Sequence, residues 1–419
     1  MADPAVIPAP APVAAPAAAP VATIPEKLNA LEATVNGTVF ERVTEMRCLT
    51  NALLSGRHIC MIGSPGIAKS FLTRTTVKYI DGIAPGEYFE WLLGRYDSPE
   101  VLLGPHSLKG LEQDHYVRVP TNKLPVAKLA FISEIWKANT GLLNVLLPIM
   151  NERLFYNNGQ PTTIPLSTLV ADSNETPEAS SELGALWDRF AFRLFTKPIQ
   201  NESNFEAMMR AATARFASKA APVPVISWAE IVAAQTAVKA VTISDDVYTA
   251  FGDLRVSLAK EGIVPSERRF VECLPIVQAQ AYRDGRTTAD IADMRLLAHV
   301  LWDTQAQQPT VAKLVMELAN PFDKAAMEMM EDVENLATQI DNILRNSDNT
   351  QERSRKAIEV HGKLEEAANE LKKLRAQAKA EGRKSDIMEP LRKRILTLTH
   401  RLLKEVFTID ETGLAPDPD

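Results

Sequence analysis

The chain has 419 residues, 46% of them apolar, and a formal net charge of −7. That length allows about three domains with well-buried cores, and the acidic balance argues against nucleic acid as the main partner. Cys48, Cys60 and Cys273 lack CxxC spacing and the six histidines form no metal-spaced pair, which excludes a disulfide framework and a structural zinc site. No G-x-S-x-G elbow or H-E-x-x-H motif supports a serine hydrolase or a zinc protease.

Residues 1–25 are almost wholly Ala, Pro and Val, a composition that favours an extended, solvated tail. The first basic residue is Lys27 and prolines interrupt every apolar run, so neither a secretory signal nor a membrane span is expected. The expected location is cytoplasmic. Phe40, Val43, Met46, Leu49 and Leu53 recur at helical spacing and predict a helix over 39–54.

The stretch HICMIGSPGIAKS (58–70) has the order strand, tight loop, helix start, which builds a phosphate cradle. Gly63, Ser64, Pro65, Gly66, Ile67 and Ala68 form the loop; Lys69 reaches outer phosphates and the Ser70 hydroxyl takes magnesium. Ala68 stands where the motif has its second glycine. The bland alternative is an ordinary Gly/Pro loop ahead of a helix.

The helix runs on over 71–80 until Asp81 and Gly82 stop it, and Tyr88, Phe89, Glu90 and Trp91 read as a strand. Residues 102–119, broken by Gly104, Pro105 and Gly110, read as an excursion of short hairpin or loop character. An apolar strand over 128–134 then closes on Glu134. Such a strand after a phosphate loop holds magnesium and polarises water through Asp followed by Glu. Here Ser133 occupies the aspartate position. Glu134 alone could equally be a strand-end charge in solvent.

A helix over 142–151 leads to Asn158 and Gly159, a two-residue hairpin signal between extended runs. The next buried strand, 168–171, runs on to Asn174. Asp172 lies two residues earlier, on the same face if the strand is regular, and is a candidate to supply the charge that Ser133 lacks. Arg189 and Arg193 are four apart, hence on one face if helical, where arginines commonly just coat a helix.

From about 225 the pattern is helical only. Ser244 caps a helix over 245–258, Ser266 opens another through Arg268 and Arg269, and Thr287 with Asp290 resembles a capping box. Three stripes follow: Val333 to Ile343, Val360 to Ala378 and Ile387 to Leu402, with breaks near 346–350 and 381–384. Helices of this kind bury their stripes on one another as a small bundle.

GSPGIAKS (63–70), FISEIWKANTGLLNVLLPIMNERLF (131–155), LVADSNETPEA (169–179), ALWDRFAFRL (185–194) and PSERRF (265–270) together resemble the AAA+ ATPases. Within them the likeness is to the MoxR family, most closely its RavA-like branch, over roughly residues 26–320. It implies an α/β fold: an AAA+ P-loop core with a parallel sheet (26–222), an all-helical lid domain (223–321) and a C-terminal helical bundle (322–412), between tails at 1–25 and 413–419.

The resemblance implies ATP and Mg2+, with residues 63–70 as the binding loop and Ser70 and Ser133 on the metal side. It makes Glu134 the general base, Asn174 the residue that positions water, and Arg189 and Arg193 the fingers offered to a neighbour. Arg268 becomes the lid sensor, with Arg269 beside it at the nucleotide. The excursion and the hairpin match insertions facing a ring's centre. Family members form homohexameric rings and remodel target complexes, usually with a partner carrying a von Willebrand factor A domain. The competing reading is a nucleotide-gated scaffold with weak or no hydrolysis, because of Ser133. A GTPase or small-molecule kinase is disfavoured by the lack of an N-K-x-D motif.

Overall fold

Strand β1 (His58–Ile62) is buried along its whole length, because the apolar run of four that follows His58, with no polar alternation, has to be covered on both faces. Its neighbours are β4 (Thr168–Ser173) and β5 (Phe190–Phe195), and beyond β4 lie β3 (Leu129–Ser133) and the edge strand β2 (Tyr88–Leu92). Every pairing in this order β2-β3-β4-β1-β5 is parallel. The computed structural model describes residues 22–177, 183–217, 221–346, 350–380, 385 and 387–407. Most of the Ala/Pro-rich tail, the tail over 413–419 and the two breaks within the bundle lie outside the described residues.

The order of strands reverses at β1, and ligands of open parallel sheets bind beyond the carboxyl ends of the strands at such a point. Ile62, Ser133 and Ser173 end β1, β3 and β4, so residues 63–68, Glu134 and Asn174 are delivered to one edge.

Helices α1 (Ile24–Asn36), α2 (Val43–Ser55), α3 (Lys69–Lys78) and α4 (Thr140–Glu152) cover the sheet. A capping box of Thr23 and Glu26 opens α1, so helix begins inside the stretch read as tail. The excursion contains two one-turn helices, Glu100–Leu103 and Leu108–Leu111, and an antiparallel bridge between His106 and Arg118. The hairpin pairs Leu154–Asn157 with Gln160–Thr163. Asn158 and Gly159 take φ of 51° and 72°, the left-handed pair that a two-residue hairpin turn requires. Asn157 Oδ1 accepts the Arg118 N–H at 2.7 Å and Asn158 Oδ1 accepts the Tyr116 N–H at 3.1 Å, which knits hairpin and excursion together.

Arg189 and Arg193 do not share a helix. The one-turn helix Gly184–Trp187 ends before Arg189, and Arg193 lies on β5. The apolar run FAFRLF gains more by pairing with β1 in the core than by continuing a helix.

After the sheet comes α5 (Glu202–Ala217), and the lid region follows with α6 (Trp228–Lys239), α7 (Asp245–Lys260), α8 (Glu267–Arg283), a 3-10 helix (Ile291–His299) and α9 (Gln308–Ala319). Ser244 sits at the cap position of α7 without a side-chain cap bond, while Ser266 does cap α8 through the Arg269 N–H. The capping box expected of Thr287 and Asp290 falls on Asp290 and Asp293, because Thr288 and Ala289 pair with Thr242 and Ile243 and the Thr287 carbonyl accepts the Thr242 N–H. The lid packs on α1 and α2: Asn51 Nδ2 donates to the Ile276 carbonyl at 3.1 Å, and the buried pair Arg283–Glu32 closes at 2.9 Å.

Helices α10 (Pro321–Asn346), α11 (Thr350–Ala380) and α12 (Met388–Phe407) form the C-terminal bundle. The three sequence stripes meet in an apolar core of their own, separate from the core that runs from Leu28 to Ala319. Asn320, with extended backbone, is the single residue between α9 and α10. No helix among the described residues is long and apolar enough to cross a membrane.

Because the two cores are separate, we place a domain boundary at residue 321 and expect a chain ending at Asn320 to stay folded. Its melting temperature should lie within about 4 °C of the full-length protein, the shift expected of about 1 kcal/mol. Aggregation of the truncated chain, or a loss of much more than this, would show that the bundle completes the core.

Candidate nucleotide site

The loop 63–68 turns under steric constraint. Gly63 has φ 156°, and a Cβ there would collide with the Thr196 carbonyl oxygen and Ile67 Cδ1, so only glycine fits. Ala68 holds φ 69° at the start of α3, where the motif's glycine would rest without strain; for an L-residue this costs about 1–2 kcal/mol. Arg42 braces the loop from outside, donating through Nε and Nη2 to the Ile67 carbonyl at 3.2 and 3.0 Å.

Lys69 is only 5% exposed. Its Nζ donates to the carbonyls of Gly63 at 2.5 Å and Ser64 at 3.0 Å, and to Asn174 Oδ1 at 3.2 Å. Burial pulls its pKa below the usual lysine value, and the charges of Asp172 and Glu134 oppose that shift. Asn174 Nδ2 in turn donates to Glu134 Oε1 at 2.6 Å. Lysine, amide and carboxylate therefore form one continuous line.

Glu134 sits at φ 55°, an uncommon conformation for a side-chain-bearing residue and one that clusters at functional sites. Its backbone N–H donates to Asp172 Oδ1 at 3.1 Å, and Ser133 Oγ donates to the same oxygen at 2.6 Å. Lys137 Nζ stands 3.3 Å from Glu134 Oε2 as an ion pair, but that buried oxygen accepts no hydrogen bond among the described residues. Asp172 is buried too, and burial raises its pKa against the pull of Ser133, the Glu134 N–H and Lys69. Ser70 lies in the first turn of α3 beside Lys69. The hydroxyls of Ser70 and Ser133 with the carboxylates form an all-oxygen donor set that suits Mg2+. A glycine-bearing loop leading into the start of α3 suits a phosphate chain.

An apolar cavity of about 360 Å³ adjoins the loop, lined by Val39, Phe40, Ile67, Phe71, Ile199 and Met208 among others. Sequence reading missed it, because its walls come from three separated segments. Arg42 was missed for the same reason.

The arginines part company. Arg193 is fully buried: Nη1 donates to the Trp302 carbonyl at 2.5 Å and Asp303 Oδ1 at 2.7 Å, Nη2 to the Trp187 carbonyl at 2.9 Å, and the guanidinium lies 4.2 Å from the Trp187 ring centre. Burial pushes its pKa down to about 9. It joins core to lid within its own chain, which corrects its reading as a finger. Arg269, read as touching nucleotide, is likewise buried, on the Val300 carbonyl and Asp188 at 2.8 Å each.

Arg189 and Arg268 stand at the opposite end of the sheet from the loop. Phe190 pairs with His58, so Arg189 lies a strand length from Gly63, roughly 16 Å at the usual rise per residue. Arg268 Nη2 donates to Asn151 Oδ1 at 2.7 Å, near the far end of α4. Burial, and then the charge of Arg268, depress the Arg189 pKa, which marks the two as neighbours. The same corner is tied by Arg153, which donates to the Gly56 and Ser167 carbonyls at 2.8 and 3.1 Å.

These placements separate the two arginines experimentally. Arg193→Ala should cost about 3–5 kcal/mol in stability, as loss of a buried, bonded charge does, while Arg189→Ala should cost about 1 kcal/mol or less. Denaturant melts decide it; equal losses would contradict the assignment of Arg193 to the core–lid joint.

Comparison with known proteins agrees with this geometry. Residues 26–236 match the model of the MoxR domain in the MoxR-vWA-beta-propeller ternary systems, and residues 246–315 match an AAA lid domain. Two uncharacterized proteins of Methanocaldococcus jannaschii are each 31% identical to the chain, over 87% of it and 94% of the first relative, and over 88% and 96% for the second. The crystal structure of a candidate ATPase from Cytophaga hutchinsonii superposes with a TM-score of 0.57 over 71% of this chain and 95% of its own, at 15% identity, a likeness of fold. With an AAA+ core, its lid and a family model spanning half its length, the chain belongs to the MoxR family of AAA+ ATPases.

Proposed function

We propose that the chain hydrolyses ATP as a homohexameric ring and uses the cycle to remodel or mature a partner protein complex. The observation that carries this is the unbroken line from Lys69 through Asn174 to Glu134 beside a loop that fits phosphate. In this reading Lys69 and the N–H groups of 63–70 hold the phosphates. Ser70 and Ser133 face the metal, and the apolar cavity takes the base. Asn174 orients a water whose proton passes to Glu134. ATP with Mg2+ supplies the scissile phosphoanhydride and a Lewis acid.

Arg189 and Arg268 support the ring. Both lie too far from their own loop to touch its nucleotide, so their use is on a neighbour's, and the site is complete only on assembly. The knitted excursion and hairpin expose Leu108, Tyr116 and Tyr156, an apolar set suited to gripping a protein target at the ring's centre. The family description points to a partner with a von Willebrand factor A domain, and a cytoplasmic, RavA-like role is consistent with the motifs. The scaffold reading rested on the missing charge at Ser133; a carboxylate bonded to that hydroxyl weakens it.

Two measurements test this. Lys69→Ala should abolish ATP binding in calorimetric titration with magnesium, because it removes the cation at the centre of the cradle; unchanged affinity sinks the phosphate-loop assignment. Arg189→Ala should bind ATP but lose turnover, by about 10³–10⁵-fold where a finger acts fully. Mixed with Glu134→Gln, which is also inactive alone, it should regain activity at interfaces that pair two intact halves. If subunits exchange and mixtures stay as inactive as either parent, the in-trans model fails.

A further inference from the structure

Resting on that reading, one feature of the site points to how its metal is held. Strand β3 pairs Ile132 with Ala171 on β4, so Ser133 and Asp172 are the next cross-strand neighbours and share a face. On its other side Asp172 stands in register with Met61 of β1, two residues ahead of Gly63. The carboxylate has thus moved one strand, about 4.8 Å, from the end of β3 toward the phosphate loop.

Its environment is not that of a structural carboxylate. Asp172 is 6% exposed, yet forms no ion pair within 4 Å among the described residues. One oxygen, Oδ1, accepts from Ser133 Oγ and the Glu134 N–H. The other, Oδ2, accepts no hydrogen bond among the described residues. That oxygen is not sealed from solvent, so it is open to a cation or its water, and a carboxylate so nearly buried gains from one. The charge of Lys69 acts on it from nearby but makes its own bonds to the loop carbonyls and Asn174.

We propose that Asp172, acting with the Ser133 hydroxyl, supplies the negative charge that holds the magnesium ion of the bound nucleotide. The pair does jointly what a single strand-end aspartate on β3 would do. Ser133 fixes Asp172 through its hydroxyl proton, leaving the second carboxylate oxygen for the ion or its water. The Glu134 N–H bond ties the orientation of the base to the same carboxylate, so metal and base are positioned together.

The test counts metal and needs no turnover. Full-length protein saturated with ADP is titrated with Mn2+, and free ion is followed by its paramagnetic resonance signal. Asp172→Asn should weaken Mn2+ binding by about 10–100-fold, as loss of a group that supports a metal site does. ADP in the presence of EDTA should bind Asp172→Asn at least as tightly as wild type, since a negative charge beside the phosphates has gone. The double variant Ser133→Asp with Asp172→Ser returns the charge to β3 and should restore Mn2+ affinity.

Unchanged Mn2+ affinity in Asp172→Asn overturns the proposal. So does a folded double variant that binds ADP without metal but fails to recover Mn2+. If Asp172→Asn does not fold, the double variant alone decides. Wild-type protein that binds no ADP even in EDTA removes the nucleotide reading itself, a failure distinct from either.

Discussion

An ammonium group withdrawn from water has to be surrounded by oxygen, and Lys69 shows what that demands of this fold. Three oxygens reach its Nζ, two from the loop that carries it and one from Asn174 on another strand. To bring them together, β1 and β4 must be adjacent, parallel and in a register that ends both at one edge. Gly63 must leave β1 at a φ that other residues resist, and Asn174 must be held from its far side, which Glu134 does. The site's geometry is a consequence of satisfying one buried cation.

The sheet has a second end, and it carries the opposite chemistry. At the carboxyl edge carboxylates and amide oxygens gather around one lysine. At the amino edge arginines gather: Arg153 bracing loops, Arg189 with Arg268, and Arg269 holding Asp188 next to Arg189. Arg153 and Arg269 are spent on contacts within the chain, whereas Arg189 stands a strand length from its own phosphate loop and cannot serve it; the ring we propose would bring it to a neighbour's loop. Arg193, packed on Trp187 and bonded to Trp302 and Asp303, ties the lid to the core.

Much of this was legible in the sequence where residues act through neighbours in the chain. The loop, strand-end Glu134, the hairpin at Asn158 and the bundle stripes all declare themselves by local spacing. Asp172 could be paired with Ser133 because strand parity is a strict rule. Where spacing depended on an assumed helix it misled: Arg189 and Arg193 share a helical face only on paper, and pairing with β1 outweighed it. Arg269 was misplaced because adjacent residues on a helix point about 100° apart, so Arg268 outward means Arg269 inward. The apolar cavity and Arg42 were invisible because residues 38–42, 66–71 and 198–215 meet only in three dimensions.

In the ring we propose, one subunit's phosphate site is completed by the next subunit's arginines. The most direct measurement is a structure of the assembled protein with ADP, beryllium fluoride and magnesium. The account predicts the fluoride group against Lys69 and Asn174 of one chain, with Arg189 of the neighbour turned toward it. A bound mimic with every Arg189 still a strand length from any nucleotide would contradict it.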